Sequence, residues 1–75
     1  MNLYETKLGT NCIVKEIKIS DEKTKFRLME LGLIRGVKIK VKNKSVMKKT
    51  LLVVFNSCCF TMKDNIAKSI EVEYA

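Results

Sequence analysis

Three cysteines and eight carboxylates, with no histidine, are the side chains of this 75-residue chain best suited to chemistry. Cys58 and Cys59 are adjacent, and Cys12 lies far from them in sequence. A thiolate site for a transition metal needs several cysteines at loop spacing, such as C-x2-C twice, so that the sulfurs converge on one ion. Neighbours on a strand project to opposite faces instead. One of the pair is therefore expected to pack as a small apolar residue and the other to be half-exposed. An odd count with an adjacent pair argues against a disulfide framework and suits a reducing cytosol. Asp64, Glu71 and Glu73 offer at most a weak surface site for a cation. The lack of histidine removes the commonest general base and the commonest metal ligand. There is no glycine-rich phosphate loop of the Walker type, and no pair of carboxylates at defined spacing on one element. These residues predict a protein that is not an enzyme, with no catalytic residue, no metal ligands and no cofactor.

Charge is the next chemical feature. Fifteen basic and eight acidic groups give a net charge of +7. Such a balance favours an anionic partner: nucleic acid, a phospholipid surface or an acidic protein face. Lys38, Lys40, Lys42 and Lys44 recur at every second position and are the best sign of a basic nucleic-acid-binding module, SH3-like or OB-like. Against nucleic acid, Phe55 and Phe60 read as core, Phe26 sits on a helix, and Tyr4 and Tyr74 lie near the ends. No aromatic platform for stacking bases emerges. Lysines on a strand also discourage sheet-to-sheet aggregation. The apolar fraction of 47% is that of a folded domain, and the length suits one domain over 1–75. No apolar run exceeds Leu51–Phe55, so no membrane span or secretory signal is expected, and the predicted location is cytoplasmic.

The elements that position these groups follow from the change of period between Phe26 and Val41. Phe26 and Met29 are three apart, as are Leu28 and Leu31, which is helical spacing. Gly32 follows, where a left-handed residue would close the last helical carbonyls and let Leu33 fold back. Ile34-Arg35-Gly36-Val37 has glycine where a type II turn needs positive φ. Val37, Ile39 and Val41 then alternate with lysines, which is a strand with one wet face. Elsewhere, residues 2–9 read as a lead-in anchored by Leu3 and Leu8 and ending at Gly9. Cys12–Ile19 reads as a strand whose phase slips near Lys15-Glu16, so a bulge is expected. Ser20 or Asp21 should cap the helix. Leu51–Phe55 and Cys58–Met62 form a hairpin about Asn56-Ser57. Thr61-x-x-Asp64 has capping-box spacing before a helical turn over 63–68, and Ser69–Glu73 closes the sheet. Five short strands with one or two short helices predict a mainly β, small five-stranded SH3-like barrel. Its expected core is Cys12, Val14, Ile17, Leu28, Leu31, Leu33, Val37, Ile39, Val41, Val53, Phe55, Phe60, Met62, Ala67, Ile70 and Val72.

If Val53 and Phe55 face inward, Leu52 and Val54 face outward, and Cys58 is expected beside them across the hairpin. Val46 and Met47 in the preceding loop, followed by Lys48 and Lys49, extend this into an apolar patch rimmed by charge. Such a patch is what a docking surface for another protein looks like.

The order Leu8-Gly9, Val14, Ile17, Arg27-Leu28-Met29-Glu30-Leu31-Gly32-Leu33, Gly36 and Val41 resembles the ferrous iron transport protein A (FeoA) family. So does the tail Val53-x-Phe55, then Phe60-x-Met62-x4-Ala67-x2-Ile70-x-Val72. The resemblance covers nearly the whole chain. Arg35 stands where the family usually has proline, Ser57 where it usually has glycine, and the Ser45–Thr50 loop lacks the usual Gly-Asp-Pro-like sequence. The resemblance implies an accessory or regulatory protein of ferrous iron uptake. It would act by contact with FeoB, a membrane-embedded permease with a cytosolic GTPase domain, which would recruit it to the inner face of the membrane. Any association with ferrous iron, or weak binding of a transition metal, is implied by the resemblance alone.

Overall fold

The helix predicted by the apolar spacing spans Glu22–Glu30 (α1) and ends as a left-handed glycine dictates. Gly32 has φ +98°. Its N–H donates to the Met29 carbonyl at 3.0 Å, and the Leu33 N–H donates to the Leu28 carbonyl at 2.9 Å. These two bonds make a Schellman end, and Leu28 and Leu33 are both buried beneath it. The Val37 N–H then donates to the Ile34 carbonyl with Gly36 at φ +91°, which is the type II turn. Asp21 stands at the N-cap, but its carboxylate accepts from the Thr24 hydroxyl at 2.6 Å and makes no bond to the helix backbone.

The computed structural model describes residues 1–75 as one antiparallel five-stranded sheet, β1 (Asn11–Ile17), β2 (Lys38–Ser45), β3 (Thr50–Phe55), β4 (Cys58–Lys63) and β5 (Ile70–Tyr74), in the order β4-β3-β2-β1-β5. The sheet curls into a small SH3-like barrel. The pairing of β1 with β5 shifts between Val14 and Glu16, so the bulge falls at Lys15, where the sequence phase slips. A bulge increases local twist, which lets β1 pair with β2 at its start and with β5 along its length. A short helix, α2 (Asp64–Lys68), joins the edge strands β4 and β5. It packs on a 3₁₀ turn at Leu3–Glu5, and Ala67 and Leu3 are both fully buried there.

The core includes twelve of the expected residues, with Ile17, Val37 and Phe60 at its margin. Leu31 is a correction: it is 47% exposed. As the residue at the helix C-cap it sets the backbone for the turn, and Leu33 fills the core position instead. Leu8 is not an anchor either. It occupies the second position of a turn closed by the Thr10 N–H on the Lys7 carbonyl and lies in solvent. Ile19 and Leu51 are buried as well. Ile19 keeps the inward phase that Ile17 takes after the bulge. The capping box at Thr61 does not form: Thr61 pairs with Leu52 inside the sheet, and Lys63 is the N-cap of α2.

The β3–β4 hairpin has φ +50° at Asn56 and +62° at Ser57, a two-residue turn whose second position favours glycine. The Asn56 side-chain amide donates to the Gly32 carbonyl at 3.2 Å, and a Cβ on Gly32 would collide with it. Ser57→Gly is therefore expected to stabilise the fold by about 0.5–1 kcal/mol. Gly32→Ala should destabilise it by more than about 1 kcal/mol, from left-handed strain plus displacement of Asn56. Urea denaturation checks both, and the two midpoints should move in opposite directions.

Candidate functional site

Alternation along β3 buries Leu51, Val53 and Phe55 and turns Thr50, Leu52 and Val54 to the outer face, where all three are half-buried. Pairing with the neighbours sets the composition of that face. Val54 lies between Lys40 and Cys59, Leu52 between Asn43 and Thr61, and Thr50 between Ser45 and Lys63. Leu52 is thus the single apolar residue in a shallow groove of about 390 Å³ that also involves Asn43, Ser45, Lys48 and Thr61. The face is more polar than the strand pattern suggests.

The loop beside it, residues 46–49, is fastened at its base and free at its tip. The Lys48 N–H donates to the Ser45 hydroxyl at 3.4 Å. Lys49 has φ +55°, and its carbonyl accepts from the Asp64 N–H at 2.9 Å, which ties the loop to the start of α2. Val46 and Met47 stand 80% and 95% exposed. The structure therefore brings Met47, Val46, Lys48 and Lys49 to one end of the outer face that carries Leu52 and Val54.

The cysteines are arranged differently from expectation. The two-residue hairpin pairs Phe55 with Cys58 and Val54 with Cys59. Cys59, not Cys58, is therefore the outer-face neighbour of Val54. Cys58 follows the inward phase but lies beside the hairpin turn at the start of the edge strand β4, and both thiols are exposed. Cys12 is buried with its Sγ 3.6 Å from the Thr10 carbonyl, and burial pushes its thiol up from 9.0 despite a hydrogen bond with Thr6. No three potential ligands among cysteine, aspartate and glutamate cluster. Glu71 pairs with the Met1 amino group and Glu73 with Lys15, each at 3.2 Å.

The lysine stripe is also broken. The β2–β3 register shifts between Val41 and Asn43, so Lys42 sits in a bulge. Beyond it Lys44 turns inward, donates to the Tyr4 carbonyl, and holds its ammonium 4.5 Å from the Tyr4 ring centroid. Lys68 approaches the same ring at 4.8 Å. Two of the cations thus act within the fold.

Sequence spacing missed a second apolar surface. Leu28 is the single buried residue of α1, while Phe26, Met29 and Ile34 are about half exposed. The signal was present: Phe26 lies about 160° around the helix from Leu28, so both cannot enter one core.

A small five-stranded SH3-like barrel defines the class. The chain belongs to the FeoA domain family, whose model matches residues 1–74. It superposes on the FeoA protein of Chlorobium tepidum with a TM-score of 0.90 and 34% identity, covering 99% of this chain and 70% of that one. It is also similar to Stenotrophomonas maltophilia FeoA complexed with zinc, described as a prokaryotic SH3 domain protein and a candidate ferrous iron transport activating factor. That match has a TM-score of 0.82 and 26% identity, covering 97% of this chain and 89% of that one. A manganese-dependent transcriptional repressor shares the fold at a TM-score of 0.89 and 16% identity, covering 100% of this chain and 41% of that one. No curated protein matches the chain. The family is one of ferrous iron transport and is not a known enzyme family.

The thiols supply a direct check. Cys58 and Cys59 should react with a thiol reagent in the native protein, and Cys12 only after unfolding. Because burial raises the Cys12 thiol above its unfolded value of 9.0, its contribution to stability is complete below that pH and is lost as pH rises through the folded value. Unfolding free energy should therefore fall above about pH 9, and Cys12→Ala should flatten that slope.

Proposed function

We propose that this chain is a cytoplasmic accessory protein of ferrous iron uptake, which works by docking on the cytosolic GTPase domain of a FeoB-type membrane permease. Membership of the FeoA domain family supports the transport setting. The observation that carries the mode of action is the loop after β2, which holds Val46 and Met47 in solvent on a fastened base flanked by Lys48 and Lys49. Apolar tips beside unpaired cations suit a partner face with an apolar hollow and acidic rim. Leu52 and Val54 extend the contact across the outer face, with Cys59 at its end.

Docking regulates transport only through a difference in affinity between conformational states of the permease. The chain would then shift populations without doing chemistry itself. In this reading it carries no resident metal, and ferrous iron is the cargo of the partner. The broken lysine stripe and the absence of an outer-face aromatic platform favour a protein partner over nucleic acid.

Capture of this chain by the purified GTPase domain tests the proposal. Met47→Asp should leave stability within about 0.5 kcal/mol, since the side chain touches little. Combined with Leu52→Asp and Val54→Lys, it should weaken capture at least tenfold. Equal capture of the native chain and the triple variant would remove this surface from the proposal.

A further inference from the structure

We infer that a second surface, the groove between α1 and the end of β1, binds an acidic, apolar segment of a protein partner. The groove encloses about 410 Å³. Ile17, Met29 and Ile34 form its floor, and Lys25, Arg35 and Glu16 form its rim. Met29 and Ile34 are 52% and 49% exposed, so the floor stands open. Phe26, three residues before Met29, continues the apolar area over the helix.

The helix leaves apolar surface uncovered. α1 has nine residues, too few to be stable alone in water, and places only Leu28 in the core. Its remaining apolar side chains are about half exposed, Met29 beside Ile17 at the end of β1 and Phe26 farther round the helix. Covering them would extend the burial that holds the helix down.

Charge and shape identify the occupant. Glu16 is 3.9 Å from Lys18, while neither Lys25 nor Arg35 has an acidic partner. The groove is left with two unpaired cations, Lys25 and Arg35, beside an aliphatic floor. A segment that inserts one or two apolar side chains and sets carboxylates on Lys25 and Arg35 satisfies both features. Methionine at the centre adapts to the shape of the inserted side chain. A second copy is disfavoured because each chain carries +7 and the same basic rim. A nucleic acid would find the phosphate contacts but no aromatic side chain on the floor for its bases. A bilayer would meet a recessed floor with a carboxylate at its edge.

This surface is separate from the β2–β3 loop, so the two readings fail independently. The probe is a labelled synthetic helix-forming peptide with leucine at i, i+3, i+4 and i+7 and glutamate between. It is titrated against the full-length ¹⁵N-labelled chain. The expected result is saturable shifts at Ile17, Lys25, Met29, Ile34 and Arg35. Affinity should fall at least tenfold in Met29→Asp/Ile34→Asp and in Lys25→Glu/Arg35→Glu, and be unchanged in Val46→Asp/Met47→Asp. Native amide dispersion shows that each variant is folded. No shifts at millimolar peptide, or shifts confined to the loop and β3, overturn the inference. So does binding to vesicles of phosphatidylglycerol and phosphatidylcholine, or dimerisation of the chain alone, if the Met29/Ile34 variant abolishes it and the peptide does not compete.

Discussion

The left-handed backbone at Gly32 does two jobs that no residue with a side chain does well at that position. It turns the chain so that Leu33 comes back beneath Leu28, and it leaves room for Asn56 to reach the Gly32 carbonyl. The first contact seals the helix end with buried leucines. The second ties the far hairpin to the helix. Four residues later Gly36 donates to the Val14 carbonyl, and Val14 donates to that of Val37, so the same segment is bound to β1. One short junction thus joins α1, the first strand and the β3–β4 hairpin. The barrel closes around it because each of these contacts fixes the direction of another element.

Two bulges distribute the side chains on this frame. At Lys15 the bulge bends β1 and changes its phase while the strand stays paired with β5. At Lys42 the bulge changes which lysines face out, and sends Lys44 to the Tyr4 ring. The chain is strongly basic, yet its charge is not gathered into one stripe. Lys44 and Lys68 hold the Tyr4 ring, Lys15 and Lys18 pair with carboxylates, and among the unpaired cations Lys48 and Lys49 lie by the loop and Lys25 and Arg35 by the α1 groove.

The FeoA domain family gives the chain its iron-transport setting. The docking proposed above would use the exposed loop and the α1 groove, which are two separate places on the barrel. On those proposals, two surfaces joined by one rigid body would engage a single partner together, with effective concentration raising the overall affinity. Rigid placement matters here, because the loop is fastened to α2 and the groove is built from elements anchored at Gly32 and Gly36.

The sequence by itself determined the period of each segment, the turn glycines, the bulge at Lys15-Glu16 and the inward phase of β3. Each of these rests on steric limits of a few consecutive residues, so they read without knowledge of the fold. From these followed the SH3-like class, most of the core, and the outward positions of Leu52 and Val54. The tertiary structure alone decided which apolar residues of α1 are left over, because helical spacing says which side chains share a face and not whether anything covers it. Likewise it decided that Leu31 stays outside, that Cys59 rather than Cys58 neighbours Val54, and that Lys44 leaves the outer face. Those outcomes depend on how separate elements meet in space. A one-residue shift at a bulge or hairpin reverses them while leaving the local pattern of hydrophobicity unchanged.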